Sequence, residues 1–374
     1  MLRVITRLNV GGPAINAVLL SSRLDPARFE TLLVCGTEAA SEGNMLELRG
    51  IGADLDLRRV PSLGREITPF DDIRALAQLI AIARRFKPDI VHTHLAKAGT
   101  LGRLAARMSG AKAVVHTYHG TVFRGYFGRI RSRMFMSIER LLSRLTTRII
   151  AISPSQRREL IDFGIGNEQK VIEVPLGLEL EPFLAVDDVP SARARIGIRP
   201  DQPVVAIVAR LVPIKNVSLF LRAMALIPSA TVLVAGDGSL RPKLEAEAVQ
   251  LGIDGRTRFV GWQADMRSVY AASDVVGLTS QSEGLPVSLI EAMASARAVV
   301  STRVGGVPDL VQHDVTGVLV PPDDVRGFAD AVQALLLDPR RRTALGSAAR
   351  HSVYPRYDAA RLVAEIAALY ESLV

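Results

Sequence analysis

The sequence predicts an α/β protein built from two doubly wound parallel-sheet domains. Short runs of Val, Ile and Leu without polar alternation recur along the chain, as expected of strands covered on both faces. Amphipathic segments separate these runs, which argues crossover helices between parallel strands. The alternation breaks once, near residues 175–190, and then restarts. At 374 residues the chain also exceeds what one core usually serves, and a hydrophobic content of 48% suffices for two.

In the first half, strands are expected over residues 2–6, 31–35, 90–92, 113–117, 148–152 and 170–174. Helices are expected over 14–22, 73–86 and 99–108. Gly177, Pro182, Asp187, Asp188 and Pro190 then mark a linker. Beyond it, strands are expected over 204–208, 231–235, 258–260, 275–278, 298–301 and 317–320. The helices between them cover 217–225, 240–251, 266–271, 287–294 and 328–337. A strongly periodic last helix covers 359–373. The expected domains are 1–182 and 183–355, with the terminal segment of about 356–374 packing back on the first.

Composition narrows the function classes. The single cysteine, Cys35, lies in the apolar run Leu32-Leu33-Val34 and reads as a buried structural thiol in a reducing compartment. Met1 leads directly into the first strand, so no secretory signal is expected, and no apolar run is long enough for a transmembrane helix. Residues 1–185 hold 26 Lys and Arg against 18 Asp and Glu, whereas 186–374 hold 20 of each, so the net charge of +8 belongs to the first half. Such asymmetry suggests a polyanionic partner.

One run carries most of the chemistry, Glu283-Gly284-Leu285-Pro286-Val287-Ser288-Leu289-Ile290-Glu291. Pro286 suits the first turn of a helix, whose start offers unpaired amides and a positive dipole end to a phosphate. Carboxylates at either end of that anion site can accept hydrogen bonds from sugar hydroxyls flanking a diphosphate. An ordinary loop-to-helix junction is the competing reading of the run alone.

Six signposts stand in one order: Gly11-Gly12-Pro13, His119-Gly120-Thr121, Ala209-Arg210-Leu211 with Lys215, Ala235-Gly236-Asp237-Gly238, the Glu283/Glu291 pair, and Gly305-Gly306-Val307-Pro308. Together they resemble glycosyltransferase family 4, the retaining nucleotide-sugar transferases of GT-B fold, over essentially the whole chain. The resemblance implies two Rossmann-like domains facing a central cleft and a hexosyltransferase type of activity. It departs from the common pattern at Ala209 (usually Gly), at Ile214 and Asn216 around Lys215, at Ala296-Arg297-Ala298 in place of a Gly-x-Pro turn, and at Arg303.

By that resemblance His119, Arg210, Lys215 and Glu283 are the catalytic set. Arg210 and Lys215 neutralise the departing phosphate, and Glu283 bonds a hydroxyl of the transferred sugar. Glu291 bonds the ribose hydroxyls. Gly284 and the amides of Leu285, Val287, Ser288 and Leu289 face the diphosphate. The nucleobase lies near Gly261-Trp262-Gln263, where Trp262 either stacks or packs. Gly11 and Gly12 approach the donor phosphate, although a tight turn alone also explains them. His92, His94 and His116 are alternatives to His119; these four lie on two strands without conventional ligand spacing, so no zinc is expected. No cofactor is expected: the nucleotide-sugar is a substrate, and the two cations make a metal unnecessary. Retention is expected through front-face displacement assisted by the leaving phosphate.

Residues 124–148 interleave seven arginines with apolar side chains. Arg124, Arg129, Arg131, Arg133, Arg140 and Arg144 are the expected contacts of a basic amphipathic helix with an anionic membrane surface. The expected function is transfer from a UDP-sugar to a cell-surface saccharide or lipid-linked acceptor, by a cytoplasmic protein peripheral at the inner face of the membrane. A nucleotide-sugar epimerase or hydrolase is the enzymatic alternative. A nucleic-acid-binding protein is suggested by a pI of about 10.0, but the basic stretch has few stacking aromatics and no recognised nucleic-acid motif, so no nucleic-acid partner is expected.

Overall fold

Among the described residues, seven parallel strands make the first sheet: β1 (Leu2–Ile5), β2 (Leu32–Cys35), β3 (Leu57–Arg59), β4 (Ile90–His94), β5 (Ala113–Tyr118), β6 (Arg148–Ala151) and β7 (Val171–Glu173), in the spatial order β3-β2-β1-β4-β5-β6-β7. Six more make the second: β8 (Val204–Val208), β9 (Thr231–Ala235), β10 (Thr257–Gly261), β11 (Val275–Leu278), β12 (Ala298–Thr302) and β13 (Val318–Val320), in the order β10-β9-β8-β11-β12-β13. Both orders reverse once, between β1 and β4 and between β8 and β11, the mark of doubly wound α/β sheets. The structure is a computed structural model describing residues 1–38, 43–49, 55–64, 66–120, 129–185 and 188–374.

The chain divides into Met1–Leu178 with Ala359–Val374, and Glu179–Asp358. The first division therefore falls four residues before the expected 182. The last helix, Ala359–Glu371, belongs to the first unit. Leu362, Ile366 and Tyr370 pack with Leu19, Leu20, Ile90, Val115 and Ile150 on one face of its sheet. Arg361 donates to the carbonyls of Pro175 and Leu176, and the Ala359 amide donates to Leu178 O, so the returning chain is tied to the departing one. On the opposite face, Val4, Val34, Val91 and Val114 meet Ala75, Leu79 and Ile82 of helix Pro69–Phe86 and Ala98 and Leu101 of helix Ala96–Ser109.

The second unit is layered likewise. Val205, Ile207, Val232, Val234 and Val300 pack against Phe220 and Phe328, while Leu233, Ala206 and Val269 fill the other face. Fully buried side chains of these kinds each contribute about 1.5–3 kcal/mol of transfer free energy. Cys35 is buried at the end of β2, and desolvation pushes its thiol up to about 11, so it stays protonated at neutral pH.

Two strands differ from expectation. β3 is Leu57-Arg58-Arg59, an edge strand whose arginines hide its identity in the sequence. β4 runs on to His94, because buried polar side chains satisfy one another there: Thr93 Oγ1 lies 2.8 Å from His116 Nδ1, and His92 Nε2 2.7 Å from Thr117 Oγ1.

Candidate active site

In the second unit the chain leaves β8 as Ala209-Arg210-Leu211, turns through Pro213–Lys215, and enters helix Val217–Ala225. Asn216 closes that turn at φ 46, a left-handed conformation that Asn tolerates better than most residues. The chain leaves β11 as Thr279-Ser280 and reaches Glu283. Between these two exits lies the switch point of the sheet, the usual ligand crevice of such folds. Lys215 Nζ sits 2.5 Å from Glu283 Oε1, joining the two exits by an ion pair largely withdrawn from solvent. Ser280 Oγ donates to the same oxygen, and Thr279 Oγ1 donates to Asn216 O at 3.0 Å. The Gln281 amide donates to Ile214 O.

Glycines let neighbouring exits close on this core. A Cβ on Gly236, at φ 123, would stand 2.0 Å from Ala209 O, and one on Gly305, at φ 50, 2.0 Å from Glu283 O. Both backbones need a residue that is free of a side chain and at ease in positive φ. The loops after β9 and β12 thus press on the backbone beside Arg210 and Glu283. Gly261 at the end of β10 accepts from the Gly236 amide, and Trp262 follows it, half-buried.

Helix Val287–Ala294 starts beside Glu283. Pro286 occupies its cap position (φ −75, ψ 110) rather than the first turn expected, and no side chain caps the helix. Expectation also fails at Leu289. Its amide donates to Pro286 O at 3.1 Å and its side chain is fully buried, so that amide is spent inside the helix. Leu285 is buried, whereas Gly284, Val287 and Ser288 are half-buried. Glu291, one turn into the helix, is 4% exposed, and Tyr270 Oη donates to its Oε2 at 3.0 Å.

In the first unit, Gly11 caps helix Gly12–Arg23 after β1, and among the described residues a Cβ there would meet nothing nearer than Pro13 Cδ at 3.9 Å. His119 follows β5, and its Nε2 lies 3.0 Å from His94 Nδ1. The His92 and His94 rings lie 4.3 Å apart, and those of His94 and His119 5.2 Å apart, across the edge where β4 pairs with β5. Desolvation holds His119 down at about 3 and also lowers His92, His94 and His116, so all four rings are neutral at pH 7. Among the described residues no group of three or more His, Cys, Asp or Glu has the arrangement to hold a metal. Contrary to an expectation that the chain has no Asp-x-Asp pair for a divalent ion, the sequence contains Asp54-Leu55-Asp56, which precedes the edge strand β3; Asp54 lies outside the described residues.

The basic helix covers Arg129–Leu145. Arg124 lies outside the described residues, as do the side chains of Arg129 and Arg131. Arg133, Arg140 and Arg144 are exposed beside Met134 (52% exposed), Ile138 and Leu141 (60%). The helix is anchored from its other side by Glu139, which is buried and paired with Arg103 at 2.7 Å. No helix among the described residues is long and apolar enough to cross a membrane.

Similarity to known proteins follows the same two units. The D-inositol 3-phosphate glycosyltransferase of Kribbella flavida is 32% identical over 302 residues, covering 74% of this chain and 69% of that protein. Residues 10–181 match the model described as Glycosyltransferase Family 4, and residues 188–352 that of the glycosyl transferases group 1. The chain belongs to glycosyltransferase family 4. A second family member, the UDP-Gal:alpha-D-GlcNAc-diphosphoundecaprenol alpha-1,3-galactosyltransferase of Escherichia coli, is 28% identical over 323 residues, covering 84% of this chain and 83% of its own. Anabaena Alr3699/HepE, solved in complex with UDP, superposes with a TM-score of 0.82 at 22% identity over 99% of both chains, which identifies the GT-B fold.

As a family 4 glycosyltransferase the protein is an enzyme, and its second unit brings Lys215, Glu283 and the start of helix Val287–Ala294 together. His119, Gly11 and Gly12 belong to the first unit. Three partners escaped the sequence reading: Ser280, which bonds Glu283; Tyr270, which bonds Glu291; and His94, which bonds His119. Ser280 stands only three residues before Glu283, the one weak signal available. Tyr270 and His94 carry none: Tyr270 meets Glu291 from one helix to another, and His94 meets His119 through the pairing of β4 with β5.

Proposed function

We propose that the protein transfers a sugar from a UDP-sugar to a saccharide or lipid-linked acceptor, with retention and without a metal. The observation that carries this reading is the Lys215–Glu283 pair at the β8/β11 switch point, beside the side-chain-free start of helix Val287–Ala294. Diphosphate oxygens entering there meet the helix's first amides and its positive dipole end. They also meet Lys215, which can share its three donors between phosphate and Glu283, and Arg210, whose planar fork suits phosphate oxygens. In the reaction the bond from the anomeric carbon to the diphosphate breaks and a bond to the acceptor oxygen forms on the same face. The acceptor proton passes to the leaving phosphate oxygen. Negative charge grows on that phosphate, and cations held beside it would stabilise the transition state more than the ground state.

Arg210 and Lys215 supply positive charge where a divalent ion otherwise would, which supports metal independence. In this reading Glu291 receives the ribose hydroxyls and Glu283 a hydroxyl of the sugar. A UDP donor is supported by the E. coli relative, whose name carries that nucleotide, and by the Anabaena protein, solved in complex with UDP. The E. coli relative's lipid-linked acceptor and the exposed face of helix Arg129–Leu145 support work at the cytoplasmic membrane surface.

A panel of nucleotide-sugars screened by thermal shift tests the donor, because a ligand that binds only the folded state raises its melting temperature. UDP-sugars should raise it, and turnover should survive EDTA. A shift produced by no UDP-sugar, or turnover abolished by EDTA and restored by a divalent ion, would overturn the respective statement.

A further inference from the structure

Glu291 is a carboxylate at 4% exposure, and burial of such a group is costly unless its oxygens are hydrogen-bonded. Tyr270 meets that need. It comes from helix Met266–Ala272, is fully buried, and donates its hydroxyl to Glu291 Oε2 at 3.0 Å. Its ring is held in turn by Phe183, which meets it edge-on at 5.9 Å between centroids. Phe183 lies in the short helix Glu181–Leu184, which packs against helix Val287–Ala294, the helix that carries Glu291. The tyrosine is therefore clamped on one side and aimed at a single carboxylate oxygen on the other. Such a clamp fixes the carboxylate's rotamer before any ligand arrives, and orientation fixed in advance is not lost again on binding.

We propose that Tyr270 is a positioning residue: its hydroxyl orients the Glu291 carboxylate toward the donor ribose and thereby sets the preference for ribonucleotides over donors lacking the ribose hydroxyls. The inference rests on the assignment of Glu291 to the ribose made above. Tyr270 itself touches no ligand. Its effect is confined to ligands that carry the hydroxyls Glu291 receives.

The test is calorimetric binding of UDP and of 2′,3′-dideoxy-UDP to the wild type, Tyr270→Phe and Glu291→Ala, with thermal melts to verify that each variant is folded. The wild type should bind UDP more tightly than the dideoxy analogue, and Glu291→Ala should bind both alike. Tyr270→Phe, which keeps the ring, should lose about tenfold in UDP affinity, the value of one hydrogen bond to a charged group. Its affinity for the dideoxy analogue should stay at the wild-type level. An equal loss for both nucleotides would make the tyrosine a structural residue and overturn the proposal, as would full discrimination retained in Tyr270→Phe. Failure of the ribose assignment looks different: Glu291→Ala then keeps the wild-type preference, and both readings fall together.

Discussion

Lys215 and Glu283 hold each other at 2.5 Å while each is assigned a different part of the donor. The pair keeps both charges satisfied. Ser280 gives Glu283 a second donor, so removing the lysine amine leaves the carboxylate hydrogen-bonded. Lys215→Ala should therefore fold normally and lose about 10²–10³ in kcat, the usual loss when one stabiliser of developing negative charge is removed. Glu291→Ala should also remain folded, but its loss should fall mainly on donor KM, because a ribose contact is made equally in ground and transition states. Steady-state kinetics with a UDP-sugar and circular dichroism separate these outcomes. Near-normal turnover in both variants would remove the active-site assignment.

At the scale of elements, the turn after helix Val287–Ala294 tests how the chain handles its departure from the family's Gly-x-Pro pattern. Ala296 sits at φ 53, with Ala296 N donating to Met293 O and Arg297 N to Ala292 O. This is the left-handed helix end that normally selects glycine. The shape survives the substitution, at a steric cost of roughly 1–2 kcal/mol for an L side chain in that region. Ala296→Gly should stabilise the second unit by about 1 kcal/mol, after the added freedom of the unfolded chain is deducted. A rise of about 3 °C in its melting temperature is the corresponding observation for a unit of this size. Helix Arg129–Leu145 makes the second test. Glu139 is buried on its inner side, and Arg133, Arg140 and Arg144 stand beside Met134, Ile138 and Leu141 outside, the arrangement on which the proposed contact with an anionic surface rests. Each basic residue near such a surface contributes about 1 kcal/mol. The triple variant Arg133→Gln/Arg140→Gln/Arg144→Gln should lose binding to anionic liposomes in a flotation assay, and salt should weaken the wild type. Equal binding to neutral and anionic vesicles would refute the assignment.

Elements of this kind were legible in the sequence to different degrees, for physical reasons. The strands β8 and β11 carry no polar side chain and β9 only Thr231 at its start, so their burial on both faces is written in their composition. β3 is not, because an edge strand with two outward arginines carries no apolar signal. Helices Pro154–Asp162 and Pro339–Val353 start at Ser153 and Asp338, whose side chains cap them, a signal present in the chain but not used. In the site, Glu283 and Glu291 could be read because they lie in one local run. The pairing of Lys215 with Glu283 across 68 positions could not, since it depends on which strands become neighbours.

For the whole molecule, the two units answer differently to acid. The first buries His92, His94 and His116 beside His119; desolvation lowers all four, helped at His92 by Arg3 and at His116 by Arg103. In the unfolded chain these rings take up protons near pH 6.5, whereas the folded unit refuses them, His119 down to about 3. The unfolded state then binds more protons than the folded state, so stability is full above about pH 6.5 and falls as the pH drops below it. Each such histidine removes at most about 1.4 kcal/mol per pH unit across that window. The second unit holds only His313 and His351, both at the surface. The single tryptophan, Trp262, lies in this second unit and reports on it alone. Far-ultraviolet circular dichroism follows both units. On going from pH 7 to pH 5, the melt seen by circular dichroism should acquire an early component that tryptophan fluorescence does not share. Fluorescence and dichroism melts that shift together, or a Trp262 transition that moves first, would show that the histidine cluster does not govern the acid response.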